Sequence, residues 1–181
     1  DPPTMNDQPI EGFLALDKPL GMSSMKALAR VRVLARDSAP KAKSGHAGTL
    51  DPLATGVLII GIGRPATREL ARIMGTAKRY RMDIDLSAFS PSDDLEHPPE
   101  PVPVDVPPSR SDVDAALEAF RGEIAQAPPT YSAIKVNGKR AYHLARKDRI
   151  DSLEARPVMV HDLTVATYEW PVVTLDIHCG K

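Results

Sequence analysis

Apolar residues in the first part of the chain form short runs with either strand or helix spacing. Residues 12–17 are a run of strand length that a Lys-Pro-Leu-Gly turn ends at Gly21. A helix is predicted from a cap at Ser23 or Ser24 to about Arg36. Its apolar members recur at near-helical spacing: Met25, Leu28, Val31 and Ala35.

The pattern continues with a loop, a strand and a second helix. Residues 41–48 are polar and contain glycine, which favours a loop, and residues 57–60 are an apolar run typical of a short buried strand. Pro65 suits the first turn of a helix that Gly75 closes. The apolar members of this helix are Leu70, Ile73 and Met74.

The next segment predicts one strand and one helix. Four apolar residues alternate with polar ones at the period of a half-buried strand: Tyr80, Met82, Ile84 and Leu86. Ser111 is predicted to cap a helix that Gly122 ends. The apolar members of this helix fall at i, i+3, i+4 and i+7: Val113, Ala116, Leu117 and Phe120.

The last third of the chain predicts further strands around two turns. Residues 131–136 lead into Asn137-Gly138, a strong tight-turn signal, and a short helix containing Tyr142 follows. Apolar runs predict two more strands joined near Trp170-Pro171: 158–165 and 173–179. Strands mixed with helices, without strict βαβ alternation, indicate an α+β fold in one domain, with a mostly antiparallel sheet flanked by helices.

The composition is that of an ordinary globular protein, except in proline and aromatic content. Of 181 residues 42% are hydrophobic and 26% charged, and no run approaches the roughly 18 apolar residues that a membrane span needs. The one cysteine excludes an internal disulfide framework and fits a cytoplasmic protein. Aromatics are only 4%, whereas prolines number 18. Seven of these prolines lie with five acidic residues in residues 91–108, which predicts a linker or an extended surface loop.

The formal net charge of −1 hides two segments of opposite charge. Residues 18–81 hold 13 Lys and Arg against three acidic residues, a balance of +10. Residues 82–123 hold two Lys and Arg residues against 11 acidic residues, a balance of −9. The basic stretch suits a polyanion, because each cation that meets a phosphate releases counterions, although a solvated surface of mixed charge is the alternative.

Most conventional catalytic signals are absent. Gly61-Ile62-Gly63 lacks the third glycine of a dinucleotide loop, and Gly138-Lys139 lacks the upstream glycine of a P-loop. The five histidines are scattered, and His178 and Cys179 would point to opposite faces of a strand. We therefore expect no metal and no cofactor.

One segment, residues 45–56, combines three glycines, two threonines, a histidine and an Asp-Pro pair just before an apolar strand. Glycines are used where a Cβ would obstruct a close approach, and the proline holds the backbone of Asp51 extended. A carboxylate on such a loop, preceded by basic residues, fits a reaction on a nucleic acid, whereas an isolated Asp-Pro would more simply be a turn.

The sequence of residues 45–58, GHAGTLDPLATGVL, resembles the signature of the tRNA pseudouridine synthase B family, which isomerises the T-arm uridine at tRNA position 55. Three further blocks resemble motifs of that family: LDKPLGMSS at 16–24, KRY at 78–80 and PPTYSAIKVNGKRAY at 128–142. The resemblance implies the pseudouridine synthase fold and the conversion of uridine to pseudouridine in the tRNA T-arm by base flipping and rearrangement of the glycosidic bond.

The resemblance also implies roles for individual residues. Asp51 matches the family's catalytic aspartate, as nucleophile or as base, and Tyr80 matches the tyrosine that stacks on the flipped base. The implied substrate-binding residues are His46, Gly48, Thr49 and Asp94. Lys18 and Pro19 match a motif that supports the floor of the site, and the basic stretch would hold T-arm phosphates.

The chain departs from the family pattern in two places. In residues 86–97 Asp94 keeps the family aspartate, but Ser87 and His97 replace glycines and Pro91 replaces an aspartate. The chain also stops before the family's G-T-Y-I-R motif, whose arginine holds the catalytic carboxylate. We expect a C-terminal piece of the same protein to supply that arginine.

These matches predict the organisation of the chain. Residues 1–11 are interpreted as an N-terminal tail, partly of tag origin, because four residues precede Met5. Residues 12–181 are interpreted as an incomplete catalytic domain with a Pro/acidic-rich insertion at about 87–110 and without the C-terminal RNA-binding domain. We expect a monomer with tRNA as its partner. The alternatives are a catalytically silent RNA-binding or tRNA-folding module and an RNA-guided pseudouridine synthase.

Overall fold

The computed structural model of the chain describes residues 10–35, 41–127, 135–136, 139–140 and 154–180. The chain divides after Thr76 into two compact units, and each is described by itself. The predicted helix around Tyr142 and most of the 131–138 strand and turn lie outside the described residues.

The first unit is a three-stranded antiparallel sheet with two helices. Its elements in chain order are β1 (Gly12–Lys18), α1 (Ser24–Ala35), β2 (Ser44–His46), β3 (Gly56–Ile62) and α2 (Gly63–Met74). β3 is central, with β1 and β2 on its two sides. β1 and the two helices confirm the predictions. The prediction of a loop over 41–48 was wrong where β2 forms, because backbone pairing rather than an apolar pattern makes Ser-Gly-His a strand.

Helix α1 buries a stripe that begins with a serine. Its buried positions are Ser24, Ala27, Leu28 and Val31, at i, i+3, i+4 and i+7, and the apolar ones pack against Leu58 and Ile60 of β3. Met25 was predicted on this face and is instead 57% exposed, because polar Ser24 takes the first core position. The helix cap is Ser23, whose Oγ accepts the N–H of Lys26 at 3.2 Å.

Two glycines allow α2 to approach the sheet. Gly45 of β2 and Gly61 of β3 are directly opposite each other, and the side chain of Leu70 lies against both. A Cβ at Gly61 would lie 3.3 Å from the backbone carbonyl of Ala66, while a Cβ at Gly45 would meet only Leu70 Cδ1, at 3.0 Å. A Cβ at Gly61 is therefore disfavoured by backbone atoms of α2, whereas a Cβ at Gly45 would meet only a movable methyl group.

Gly61→Ala is expected to lower the free energy of unfolding by about 1–3 kcal/mol, the usual cost of overpacking a core. The reason is that α2 must shift to admit the new methyl group. Gly45→Ala is the matched control, with a smaller loss because Leu70 can rotate. Urea titration of both variants measures the difference, and equal losses would show that the backbone contact is not limiting.

The second unit is built on a four-stranded antiparallel sheet in the order β4-β11-β10-β7. Its elements are β4 (Lys78–Asp85), β5 (Ala88–Phe89), β6 (Glu100–Pro101), α3 (Arg110–Leu117), a 3₁₀ turn (Glu118–Phe120), β7 (Gly122–Gln126), β8 (Lys135–Val136), β9 (Lys139–Arg140), β10 (Arg156–Glu169) and β11 (Val172–Cys179). The strands predicted around Trp170-Pro171 are β10 and β11. β8 pairs with β9 in antiparallel register.

Helix α3 packs Val113 and Leu117 into a core with apolar residues of β10 and β11. Its cap is Ser109, not Ser111, because Asp112 returns a hydrogen bond: Ser109 Oγ accepts the Asp112 N–H, and the Asp112 carboxylate accepts the Ser109 N–H at 2.8 Å. The Ser109 hydroxyl also donates to the Asp112 carboxylate at 2.6 Å, and this bond, followed by the one from the Ser109 N–H, lowers the pKa of Asp112. Phe120, predicted to be buried, is 54% exposed, since the helix ends at Leu117 and the 3₁₀ turn changes the phase.

The proline-rich segment between β4 and α3 carries little regular structure. Only Ala88 and Phe89 pair, with Pro101 and Glu100. Antiparallel sheets with helices confirm the predicted α+β class. No helix within the described ranges is long and apolar enough to cross a membrane.

Candidate active site

Asp51 lies on the Asp51 loop, residues 47–55, which joins β2 to β3 in the first unit. Gly48 opens the loop with a φ of 99°, in the region that favours glycine. Asp51 is exposed, and among the described residues nothing donates a hydrogen bond to its carboxylate or forms an ion pair with it. The carboxylate is therefore open to a substrate.

The backbone around Asp51 is held at three successive residues. Leu50 makes two hydrogen bonds with the hydroxyl of Ser24, both at 2.9 Å. The carbonyl of Asp51 accepts the N–H of Ala54 at 3.0 Å, and the carbonyl of Pro52 accepts the N–H of Gly21 at 2.8 Å. The segment that follows β1 thus fixes the backbone while leaving the carboxylate free.

Lys18 supports the same segment from inside. It is fully buried, and its Nζ donates to the carbonyl oxygens of Met22 at 2.6 Å and Pro19 at 3.2 Å. No carboxylate of the described residues lies within ion-pair distance, so carbonyl dipoles take the place of a counter-ion. The ammonium therefore closes the turn that presents the Gly21 N–H to Pro52.

His46 ends β2 and bends back onto the Asp51 loop. Its Nδ1 lies within hydrogen-bonding distance of the Gly48 carbonyl oxygen, which can only accept, so Nδ1 carries the proton. Nε2 is the ring atom left for a contact outside the loop. Half-buried Gly48 and exposed Thr49 follow directly, which groups three predicted substrate-binding residues in one turn.

Tyr80 belongs to β4 in the second unit. It pairs with Ile177 of β11 in the edge strand of the four-stranded sheet and is 43% exposed. Partial burial raises the pKa of the Tyr80 phenol, and Cys179 raises it further. Both effects favour the protonated, uncharged form of the phenol.

Asp94 holds a turn of the proline-rich segment. Its carboxylate accepts the hydroxyl of Ser92 at 2.6 Å and the N–H of Glu96 at 2.9 Å. Both bonds end on Oδ1 and the side chain is exposed, so a substrate could contact Oδ2 without breaking them. In the described part of the chain no three His, Cys, Asp or Glu side chains gather as metal ligands would.

Sequence patterns do not predict that Ser24 and Gly21 reach across to the Asp51 loop. Both lie in the LDKPLGMSS block, where the helix pattern indicates only a capping role for Ser24. The available signal was a second serine beside the one that caps the helix. The contacts join residues 26 and 31 positions apart, a distance that local patterns do not reveal.

The comparisons with known proteins identify the family of the chain. A family model described as TruB family pseudouridylate synthase, N-terminal domain, matches residues 36–181. Two curated relatives are both called tRNA pseudouridine synthase B. The Caulobacter vibrioides relative is 43% identical over 95% of this chain and 54% of its own length. The Gluconacetobacter diazotrophicus relative is 46% identical over 84% of this chain and 48% of its own length. The chain thus spans about half the length of these relatives.

Solved structures show the same fold. A chain of a Cbf5-Nop10-Gar1 complex superposes with a TM-score of 0.66 and 25% identity, over 93% of this chain and 39% of that one. A chain of an H/ACA RNP bound to a substrate RNA containing 2'-deoxyuridine superposes with a TM-score of 0.61 and 23% identity, over 93% and 38%.

Proposed function

The chain belongs to the TruB family of pseudouridylate synthases, and on that premise we propose that the complete protein converts uridine to pseudouridine in tRNA, at position 55 of the T-arm. The observation that carries the proposal is the exposed Asp51 carboxylate on a loop whose backbone is fixed on both sides. The 43% and 46% identity to relatives called tRNA pseudouridine synthase B favours tRNA over an RNA-guided reaction.

The reaction requires a carboxylate beside the sugar of a uridine whose base has left its stack. The C1′–N1 bond breaks, the uracil turns, and a C1′–C5 bond forms. C5 loses a proton and N1 gains one, so atoms and electrons balance without a cofactor. Asp51 acts either by attacking C1′ or by removing a sugar proton, and both roles require the ionised carboxylate.

The other predicted residues receive proposed roles around this step. We assign Tyr80 to stacking on the flipped uracil and His46, through Nε2, to the target nucleotide. Gly48 and Thr49 would approach the RNA backbone, and Asp94 would contact RNA from the second unit. The G-T-Y-I-R motif does not occur in these 181 residues, and we propose that an arginine from another segment of the protein pairs with Asp51.

A row of arginines on α2 is a proposed contact for T-arm phosphates. Arg64, Arg68 and Arg72 recur at i, i+4 and i+8, and all three are exposed on the side of α2 opposite Leu70. Arg72 pairs with Glu69 at 2.7 Å, which leaves Arg64 and Arg68 as the stronger candidates. Buried Lys18 cannot contact RNA, so the basic stretch acts through its exposed members.

Arg64→Gln with Arg68→Gln is expected to weaken tRNA binding and to flatten its dependence on salt. Losing two phosphate contacts lowers the slope of log Kd against log salt by roughly 1 to 2. Arg72→Gln is the matched control on the same row, with a smaller change because Glu69 already engages that side chain. Filter binding of a tRNA transcript from low to moderate salt measures the slopes, and an unchanged slope in the double variant would exclude this face.

The test of the function is tritium release from C5-labelled uridine in a T-arm transcript incubated with the full-length protein. Release at the T-arm position supports the enzyme. Tight RNA binding without release would favour the silent RNA-binding or tRNA-folding module. Release only after addition of a guide RNA would favour the RNA-guided reading.

A further inference from the structure

The hydroxyl of Ser24 makes an unusual pair of contacts. It donates to the carbonyl of Leu50 and accepts the N–H of the same residue, both at 2.9 Å. Ser24 is 2% exposed at the start of α1, and Leu50 packs against the core beneath this helix. One side chain thus satisfies both backbone groups of the residue before Asp51.

Helix capping does not account for these contacts. The neighbouring Ser23 already caps α1 by accepting the N–H of Lys26. Both hydrogen bonds of the Ser24 hydroxyl are with the Asp51 loop. An apolar residue would fill the same core position on the α1 stripe, so packing alone does not require an oxygen there.

The position of Leu50 controls the direction of the Asp51 side chain. Consecutive Cα atoms are about 3.8 Å apart, so a rotation at Leu50 moves the next carboxylate by ångströms. Upstream, the carbonyl of Gly48, a residue with a φ of 99°, is contacted by Nδ1 of His46. Beyond Gly48, the Ser24 bonds are the next side-chain contacts with the loop backbone among the described residues, and they hold Leu50 itself.

We propose that Ser24 is a positioning residue that orients the Asp51 carboxylate by holding Leu50 on both of its backbone groups. The proposal rests on the proposed function, because orientation matters only if Asp51 acts on a substrate. Its effect belongs in kcat rather than in KM, since Ser24 is buried and contacts no RNA.

The experiment uses the full-length protein and four variants. Ser24→Ala removes the hydroxyl, whereas Ser24→Thr and Ser24→Val add the same bulk and differ only in the hydroxyl. Ser23→Ala is the matched control, because it removes the helix cap and leaves the loop contacts intact. We measure kcat and KM for tritium release, and the hydrogen exchange of the Leu50 amide.

Ser24→Ala is expected to lower kcat by about 10- to 100-fold with little change in KM, as for a misplaced catalytic group. Ser24→Thr should exceed Ser24→Val in kcat, and Leu50 exchange should accelerate in Ser24→Ala but not in Ser23→Ala. Equal kcat for Thr and Val, or equal losses for Ser24→Ala and Ser23→Ala, would overturn the proposal. If the unaltered protein releases no tritium, the proposed function fails. The hold on Leu50 is then judged by amide exchange alone, and unchanged exchange in Ser24→Ala would refute it.

Discussion

Asp51→Asn is expected to reduce pseudouridine formation by at least roughly 10³-fold, the scale seen when a principal catalytic group is removed. Asparagine keeps the size of the side chain but can neither attack the sugar nor accept its proton. The backbone contacts of Leu50 and Pro52 do not involve the carboxylate, so the loop should keep its shape. Tritium release under single-turnover conditions measures the loss, and a binding assay should give an affinity for tRNA within a few-fold of the parent.

Two variants separate this effect from a general loss of charge. Asp105→Asn removes an exposed carboxylate from the proline-rich segment and should leave the rate unchanged. His46→Ala should reduce the rate only slightly, because His46 is assigned to holding the nucleotide. A rate for Asp51→Asn above one tenth of the parent would show that Asp51 is not the reacting carboxylate.

Elements in which apolar side chains recur at a regular spacing were predictable from the sequence. Elements that form through backbone pairing alone were not. The alternation of Tyr80, Met82 and Ile84 predicted β4 as a half-buried strand; the strand forms, but all three side chains are exposed, at 43%, 37% and 38%. β2 is Ser-Gly-His and has no such period. It is a strand only because β3 presents unpaired backbone groups to it, and this cannot be read from three polar residues.

The candidate site likewise has a part that the sequence predicted and a part that it did not. The resemblance of residues 45–58 identified Asp51, since a motif names residue types in order. It could not show how Asp51 is held, because the contacts come from Ser24 and Gly21, far away in the chain. Ser24 was also hidden from the helix pattern, since a polar residue in a core stripe counts as an interruption.

Lys18→Ala is expected to lower the free energy of unfolding by about 3 kcal/mol, a large share of the stability of a small protein. The variant loses about three buried methylenes, at about 0.8 kcal/mol each, and two hydrogen bonds to carbonyl oxygens. Relief from burying a cation offsets part of this loss. Urea unfolding of the two proteins measures the difference. Lys26→Ala is the matched control on α1, where an exposed lysine should contribute within about 0.5 kcal/mol.

Lys18→Met separates the aliphatic stem of Lys18 from its ammonium. Methionine restores most of the buried volume but donates to neither Pro19 nor Met22. We expect the stability of Lys18→Met to fall between those of Lys18→Ala and the parent. The methionine restores apolar contacts, but water replaces the lost hydrogen bonds to the Pro19 and Met22 carbonyl groups only in part. A Lys18→Met protein as stable as the parent would mean that the ammonium bonds only offset the cost of burying the charge. The lysine would then matter for the shape of the turn, through Gly21 and Pro52, rather than for the stability of the fold.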